Sequence, residues 1–134
     1  MISFYDSTGY LLADSCYDVW LGNNRGNTQS RRHVTLDPDK DADKFWDFSW
    51  HEMGKYDVPA MVDFILEKTG QEDMFYVGHS QGTTQFFVYC TLYPESQSKI
   101  RAMFALAPVA WMDHVDSLLL NLISQFSGVV GVSP

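Results

Sequence analysis

Met74-Phe-Tyr-Val-Gly-His-Ser-Gln-Gly-Thr83 joins a short apolar run to a serine set between two glycines. Met74 to Val77 is too short for a helix and rich in aromatic and β-branched side chains, as a strand buried on both faces would be. After it, Phe86, Tyr89, Cys90 and Tyr93 recur at helical spacing until Pro94 stops the pattern. Between strand and helix, Gly78-His-Ser-Gln-Gly82 fits G-x-S-x-G, a tight turn that lifts the serine hydroxyl above the end of a sheet. Side chains at Gly78 or Gly82 are expected to collide with the neighbouring strand or helix, and Ser80 itself must take an uncommon backbone conformation. The helix that follows points its unpaired N–H groups at the same place, so Ser80 can attack a carbonyl while the backbone N–H of Gln81 holds the oxyanion. Three fixed positions recur by chance in about 4 of every 100 chains of this length, but the flanking strand and helix remove most such accidents. The plainer alternative is a glycine-rich phosphate cradle; against it, there is no G-x-G-x-x-G and no following Lys-Ser/Thr.

Working outward, Ile100 to Ala107 reads as another strand, closed by Pro108. Upstream, Val58, Met61, Val62, Ile65 and Leu66 keep helical spacing, with Lys68 in the last turn and Gly70 at the left-handed cap position. That pattern begins near Phe45–Trp50 and is interrupted at Pro59, with Asp57 as a cap for the second segment, so a kinked or broken helix is expected. Tyr17 to Leu21 is a further strand candidate, closed by Gly22-Asn-Asn-Arg-Gly26. From Gly22 to about Lys44 the chain is polar and irregular, longer than the loops compact domains usually tolerate, and reads as either a functional loop or a surface wrap. Short apolar runs alternating with helical patterns argue for an α/β fold with a parallel sheet.

The 134 residues, 46% of them hydrophobic, suffice for one packed unit rather than two. A formal charge of −8 and only nine basic residues, clustered nowhere beyond Arg31-Arg32, set aside nucleic acid as a partner. No apolar run reaches the roughly 18 residues of a membrane span, and no signal peptide is legible near Met1. Cys16 and Cys90 have no metal-ligand spacing, and Cys90, on the helix stripe, reads as a buried free thiol.

Four stretches together, Tyr17-Asp-Val-Trp-Leu-Gly-Asn-Asn-Arg-Gly-Asn27, Lys55-Tyr-Asp-Val-Pro-Ala60, Val77-Gly-His-Ser-Gln-Gly-Thr83 and Ala105-Leu-Ala-Pro-Val109, resemble the acid lipase family that includes gastric and lysosomal acid lipases, with its insect members nearest in flavour. The resemblance spans about Leu11 to Ala110. It implies the central part of an α/β-hydrolase fold that hydrolyses neutral lipid esters, triacylglycerols or cholesteryl esters, with no metal or organic cofactor. The implied setting is secreted or lysosomal, and the implied partner is a lipid or a lipid–water interface. Ser80 matches the family's nucleophile and Gln81 its second oxyanion donor, whereas His79 matches a neighbour without a proton-transfer role. The family's first oxyanion donor sits in a His-Gly-Leu type loop that this chain lacks, and its catalytic Asp and His follow later strands.

Candidates for a base within the chain are therefore weak. His33 falls in the polar loop as a solvated residue, His51 on an exposed helix face, and His79 beside Ser80, where adjacent side chains diverge. His114 follows the second strand with Asp113 and Asp116 beside it, but a triad requires spatial rather than sequence adjacency. The expected organisation is a partial hydrolase core over residues 1–110 and the start of a cap over 111–134, where Leu119, Leu122, Ile123, Phe126 and Val130 form an apolar stripe behind Asp116. Trp20, Trp46, Trp50 and Trp111 are expected in the core rather than along a lipid path. Such a piece should be nearly inactive by itself, since loss of a triad elsewhere costs up to roughly a millionfold in turnover. The rival readings are a noncatalytic lipid-binding or interaction protein that keeps the fold, and an esterase for small soluble esters.

Overall fold

The computed structural model describes residues 4–110. Two parallel strands, β1 (Met74–His79) and β2 (Ile100–Leu106), are joined by helix α5 (Gln81–Leu92) and a 3-10 turn at Pro94–Lys99. The register runs Phe75 to Ala102, Val77 to Phe104 and His79 to Leu106, with an irregularity between Met74 and Phe75. Helices α1 (Phe4–Asp14), α2 (Ala42–Phe45), α3 (Trp50–Glu52) and α4 (Val58–Thr69) precede the sheet, α3 and α4 being linked by a π-helical turn at Met53–Asp57.

The core forms where α4 and α5 lie on one face of the sheet. Val58, Val62, Phe86 and Tyr89 are its buried centre, and Leu66, Met74, Tyr76, Cys90, Ile100 and Met103 pack around them. Successive strand residues point to opposite faces, so Phe75, Val77 and Phe104 face away from this core and stay 40%, 46% and 53% exposed. The expectation of a first strand buried on both faces thus fails among the described residues: its apolar run is continuous, but the helices cover one side only.

Of the kink or break expected at Pro59, there is no break: the chain stays helical from residue 50 to residue 69, with a π-helical turn just ahead of the proline. Ser49 opens this helical stretch with a capping box, its hydroxyl accepting the His51 N–H while Glu52 reaches back to the Ser49 N–H. The π turn then widens the ladder, Val58 N–H bonding to the Met53 carbonyl, so Pro59 enters without ending the helix. An ordinary helix would offer the Lys55 carbonyl to the N–H that Pro59 lacks, and that carbonyl takes the Tyr93 hydroxyl at 3.0 Å. Glycine at position 54 is demanded by the same turn, since a Cβ there would stand 2.6 Å from both the Gln85 carbonyl oxygen and Val88 Cβ. Gly70 caps α4 in the left-handed conformation, φ +68°, as expected.

Asp57 does not cap α4. Its carboxylate accepts from the Arg25 N–H, Nε and Nη2 at 2.9, 2.8 and 2.7 Å, which pins the polar loop to the π turn. Arg25 also lies over the Tyr56 ring at 5.3 Å. This loop is irregular as expected, apart from a 3-10 turn at Thr28–Ser30 and the start of α2 at Ala42.

Tyr17 to Leu21 forms no strand. The segment pairs with no neighbour in a ladder, and side chains hold it instead: Tyr17 packs edge-on against Phe75 and Trp20 against Phe64. Before it, α1 ends in a Schellman arrangement in which Cys16, φ +65°, occupies the usual glycine position and Tyr17 N–H bonds to Leu12 O. Trp20, Trp46 and Trp50 are 42%, 42% and 48% exposed, so they border the described core rather than fill it. Trp111, His114 and the apolar stripe behind Asp116 lie outside the described residues.

Candidate functional site

Ser80 occupies the turn between β1 and α5 with φ +50° and ψ −117°, a conformation that an L-residue keeps only when its surroundings impose it. Those surroundings are visible. The Ser80 N–H bonds to the Leu106 carbonyl at the end of β2 at 2.9 Å, and the Ser80 carbonyl accepts the Thr83 N–H at 2.9 Å and the Thr83 hydroxyl at 2.6 Å. With both backbone groups committed, the side chain stays half-exposed and makes no cap bond to its own helix. Gln81 starts α5 and is exposed, so the first free N–H groups of the helix stand at the same sheet edge as the serine hydroxyl.

The two flanking glycines turn out unlike. Gly78 is buried, and a Cβ there would lie 3.0 Å from the Gly82 carbonyl carbon and oxygen and from Tyr76 Cε1, so its absence lets the first turn of α5 close on β1. A Cβ on Gly82 would meet nothing within 4 Å, against the expected collision, because that bond points away from the strand. Tyr76 completes the junction: its hydroxyl donates to the Gly82 carbonyl at 3.0 Å, and burial pushes its pKa up to about 12.

Buried polar residues on α5 were not legible in the sequence. Thr83 is fully buried and Gln85 2% exposed, with Gln85 Nε2 set 3.2 Å from Met53 Sδ. Thr83 and Thr84 both bind Val109, the third residue past β2. No local spacing announces these bonds, since the partners are 25 and 26 residues apart.

The three described histidines are dispersed. His79 ends β1 half-buried, and His51 is half-buried on α3 with its ring edge-on to Trp50. His33, expected to be simply solvated, has an exposed ring whose Nδ1 accepts the Thr35 and Leu36 N–H groups at 3.2 and 3.0 Å, shaping the loop. Both cysteines are free, and burial raises the pKa of the Cys90 thiol. Among the described residues, no group of three or more His, Cys, Asp or Glu could hold a metal, and no helix is long and apolar enough to cross a membrane.

A parallel strand–elbow–helix–strand unit with this serine geometry is the signature of one fold family, and the family model of the alpha/beta hydrolase fold matches residues 3–131. The chain belongs to that family. It is 53% identical over 129 residues to lipase 1 of Drosophila melanogaster, an alignment covering 95% of this chain and 29% of that protein. It is 53% identical over 116 residues to the lysosomal acid lipase/cholesteryl ester hydrolase of Macaca fascicularis, covering 87% and 29%. Against the gastric triacylglycerol lipase of Mus musculus the identity is 50% over 123 residues, covering 90% and 31%. The chain therefore spans about three tenths of the length of these relatives.

Proposed function

We propose that this chain carries the nucleophile-bearing segment of a serine ester hydrolase that acts on neutral lipids. Ser80 Oγ adds to the ester carbonyl carbon, its proton passes to a base, and the alcohol departs to leave an acyl-enzyme that water hydrolyses. The Gln81 N–H stabilises the oxyanion, and Gly78 gives the elbow its tight approach. The observation that carries the reading is the positive φ of Ser80, held between β1 and α5 by the Leu106 carbonyl. Relatives named as cholesteryl ester hydrolase and triacylglycerol lipase support a neutral lipid ester as substrate, and their lysosomal and gastric names support a lysosomal or secreted setting. In this reading residues 1–110 belong to the hydrolase core and 111–134 begin its cap. The chemistry calls on no metal or organic cofactor.

The test is covalent labelling by a fluorophosphonate, which needs an activated serine. Both the chain and a hybrid in which it replaces the matching segment of the Drosophila lipase are probed, each with Ser80→Ala as control. Labelling of the hybrid that Ser80→Ala abolishes is expected, with hydrolysis of long-chain emulsified esters outpacing that of short soluble ones. A folded hybrid that takes no label refutes the nucleophile, and a preference for short soluble esters refutes the lipid substrate. Labelling of the chain alone would show that an internal base such as His114 serves.

A further inference from the structure

Val109 is the residue through which the segment leaving β2 is fastened to the elbow, and both of its backbone polar groups are taken by neighbouring threonines of α5. Its N–H donates to Thr83 Oγ1 at 2.9 Å, and its carbonyl accepts from Thr84 Oγ1 at 2.7 Å. Thr83 Oγ1 spends its own proton on the Ser80 carbonyl at 2.6 Å. One hydroxyl thus receives from Val109 and gives to Ser80, using its one donor and one of its two acceptor sites.

A threonine in the first turn of a helix often bonds back to a carbonyl three residues earlier, and that bond alone would be unremarked. Here the second bond leaves the helix altogether. It lands two residues past Ala107, which carries a positive φ of +48° where glycine would be the comfortable residue. The preceding residue, Leu106, supplies the carbonyl that holds the Ser80 N–H. Two strained non-glycine residues, one in the elbow and one in the turn out of β2, are therefore braced against each other at the same sheet edge. Thr83 is wholly buried, so no water is at hand to replace its hydroxyl.

We propose that Thr83 and Thr84 are positioning residues that clamp Val109 to the elbow and thereby hold the backbone of Ser80 in its reactive orientation. Thr83 carries the strain at Ser80 across to the turn out of β2, and Thr84 fixes the direction in which the chain departs from it. The proposal rests on the reading of Ser80 as nucleophile for its consequence, but the clamp itself is independent of any chemistry.

Two measurements separate those parts. The first follows amide hydrogen exchange in Thr83→Val, Thr83→Ser and Thr84→Val. Thr83→Val keeps the shape and removes the hydroxyl, so exchange at the Val109 amide should quicken about tenfold, the worth of one hydrogen bond. Thr83→Ser should restore it, while the α4 amides stay as in the parent. The second is the rate of fluorophosphonate labelling in whichever form of the protein takes the label. It should fall at least tenfold in Thr83→Val, through the maximal rate rather than through probe affinity, and recover in Thr83→Ser. If Thr83→Val does not fold, Thr84→Val, which leaves the Thr83 hydroxyl in place, should show the same two changes more weakly. Unchanged exchange at Val109 overturns the clamp, and unchanged labelling overturns its role in positioning Ser80. Absence of label in every form refutes Ser80 as nucleophile, and exchange then decides the clamp alone.

Discussion

Gly54 and Gly82 differ in what a single methyl group would do, and the contrast can be worked out from distances. Alanine at position 54 would place Cβ 2.6 Å from the Gln85 carbonyl oxygen, 2.6 Å from Val88 Cβ and 2.9 Å from Val88 Cγ1. Carbon atoms prefer about 3.5–4.0 Å, so the π turn and α5 would have to part by roughly 1 Å. Neither obstacle can swing aside, because one is backbone and the other a β-branched side chain with essentially one rotamer in a helix. Overpacking of this kind costs about 3 kcal/mol at the upper end of the usual range, offset by about 1 kcal/mol from the better helix propensity of alanine. The net loss is about 2 kcal/mol. With a urea slope of about 2 kcal/mol/M, the unfolding midpoint of Gly54→Ala should fall by about 1 M. Gly82→Ala meets nothing within 4 Å and has no positive φ to strain, so its midpoint should hold or rise by a few tenths of a molar unit. Equal stability of Gly54→Ala and the parent would refute the close approach of the helices. An equal fall in both variants would show that backbone conformation, not contact, decides at these positions.

Two further outcomes follow from polar contacts. In a double-mutant cycle of Arg25→Ala and Asp57→Ala, followed by urea unfolding, the partly buried forked pair should show a coupling of about 2 kcal/mol. Arg25→Lys should recover less than half of it, having neither the fork nor the flat contact on Tyr56, and additive single losses would dismiss the pair as an anchor. Tyr76 should titrate late: burial raises its pKa from 10.0 to about 12, so the folded state keeps a proton that the unfolded state releases first. Its contribution to stability is complete below pH 10 and is lost as the pH rises toward 12. Absorbance at 295 nm should lose a tyrosine step near pH 12 in Tyr76→Phe, and an unchanged titration would contradict the burial.

What the sequence made legible was whatever carries a local signal. The strand at Met74, the elbow and α5 announce themselves within twenty residues through an apolar run, two glycines and a helical period, and Gly70 through its cap position. Three features escaped for one physical reason, that their cause lies far along the chain. Asp57 looked like a cap because caps are local, whereas its partner Arg25 is 32 residues upstream. Thr83 drew no reading at all, because its decisive partner lies 26 residues downstream. Tyr17 to Leu21 has the composition of a strand, but a strand is defined by a neighbour, and no composition supplies one. Helix α1 escaped for another reason: its stop signal is carried by Cys16 in a conformation usually reserved for glycine. Pro59 misled because the π turn absorbs it, a change of hydrogen-bond register that no residue type encodes.

The anchoring of Ser80 to β2 sets a sequence of events in time. A ribosome that has delivered the chain only as far as α5 has made the serine, its glycines and its helix, but not Leu106 or Val109, which hold the elbow in its strained shape. Until β2 pairs, the Ser80 N–H lacks its Leu106 partner and only the contacts with Thr83 hold the turn, so the strained geometry is completed by the closing of a non-local contact rather than by the motif alone. Nascent or partly unfolded molecules therefore carry the motif without its strained geometry, which Ser80 completes only as β2 locks into place.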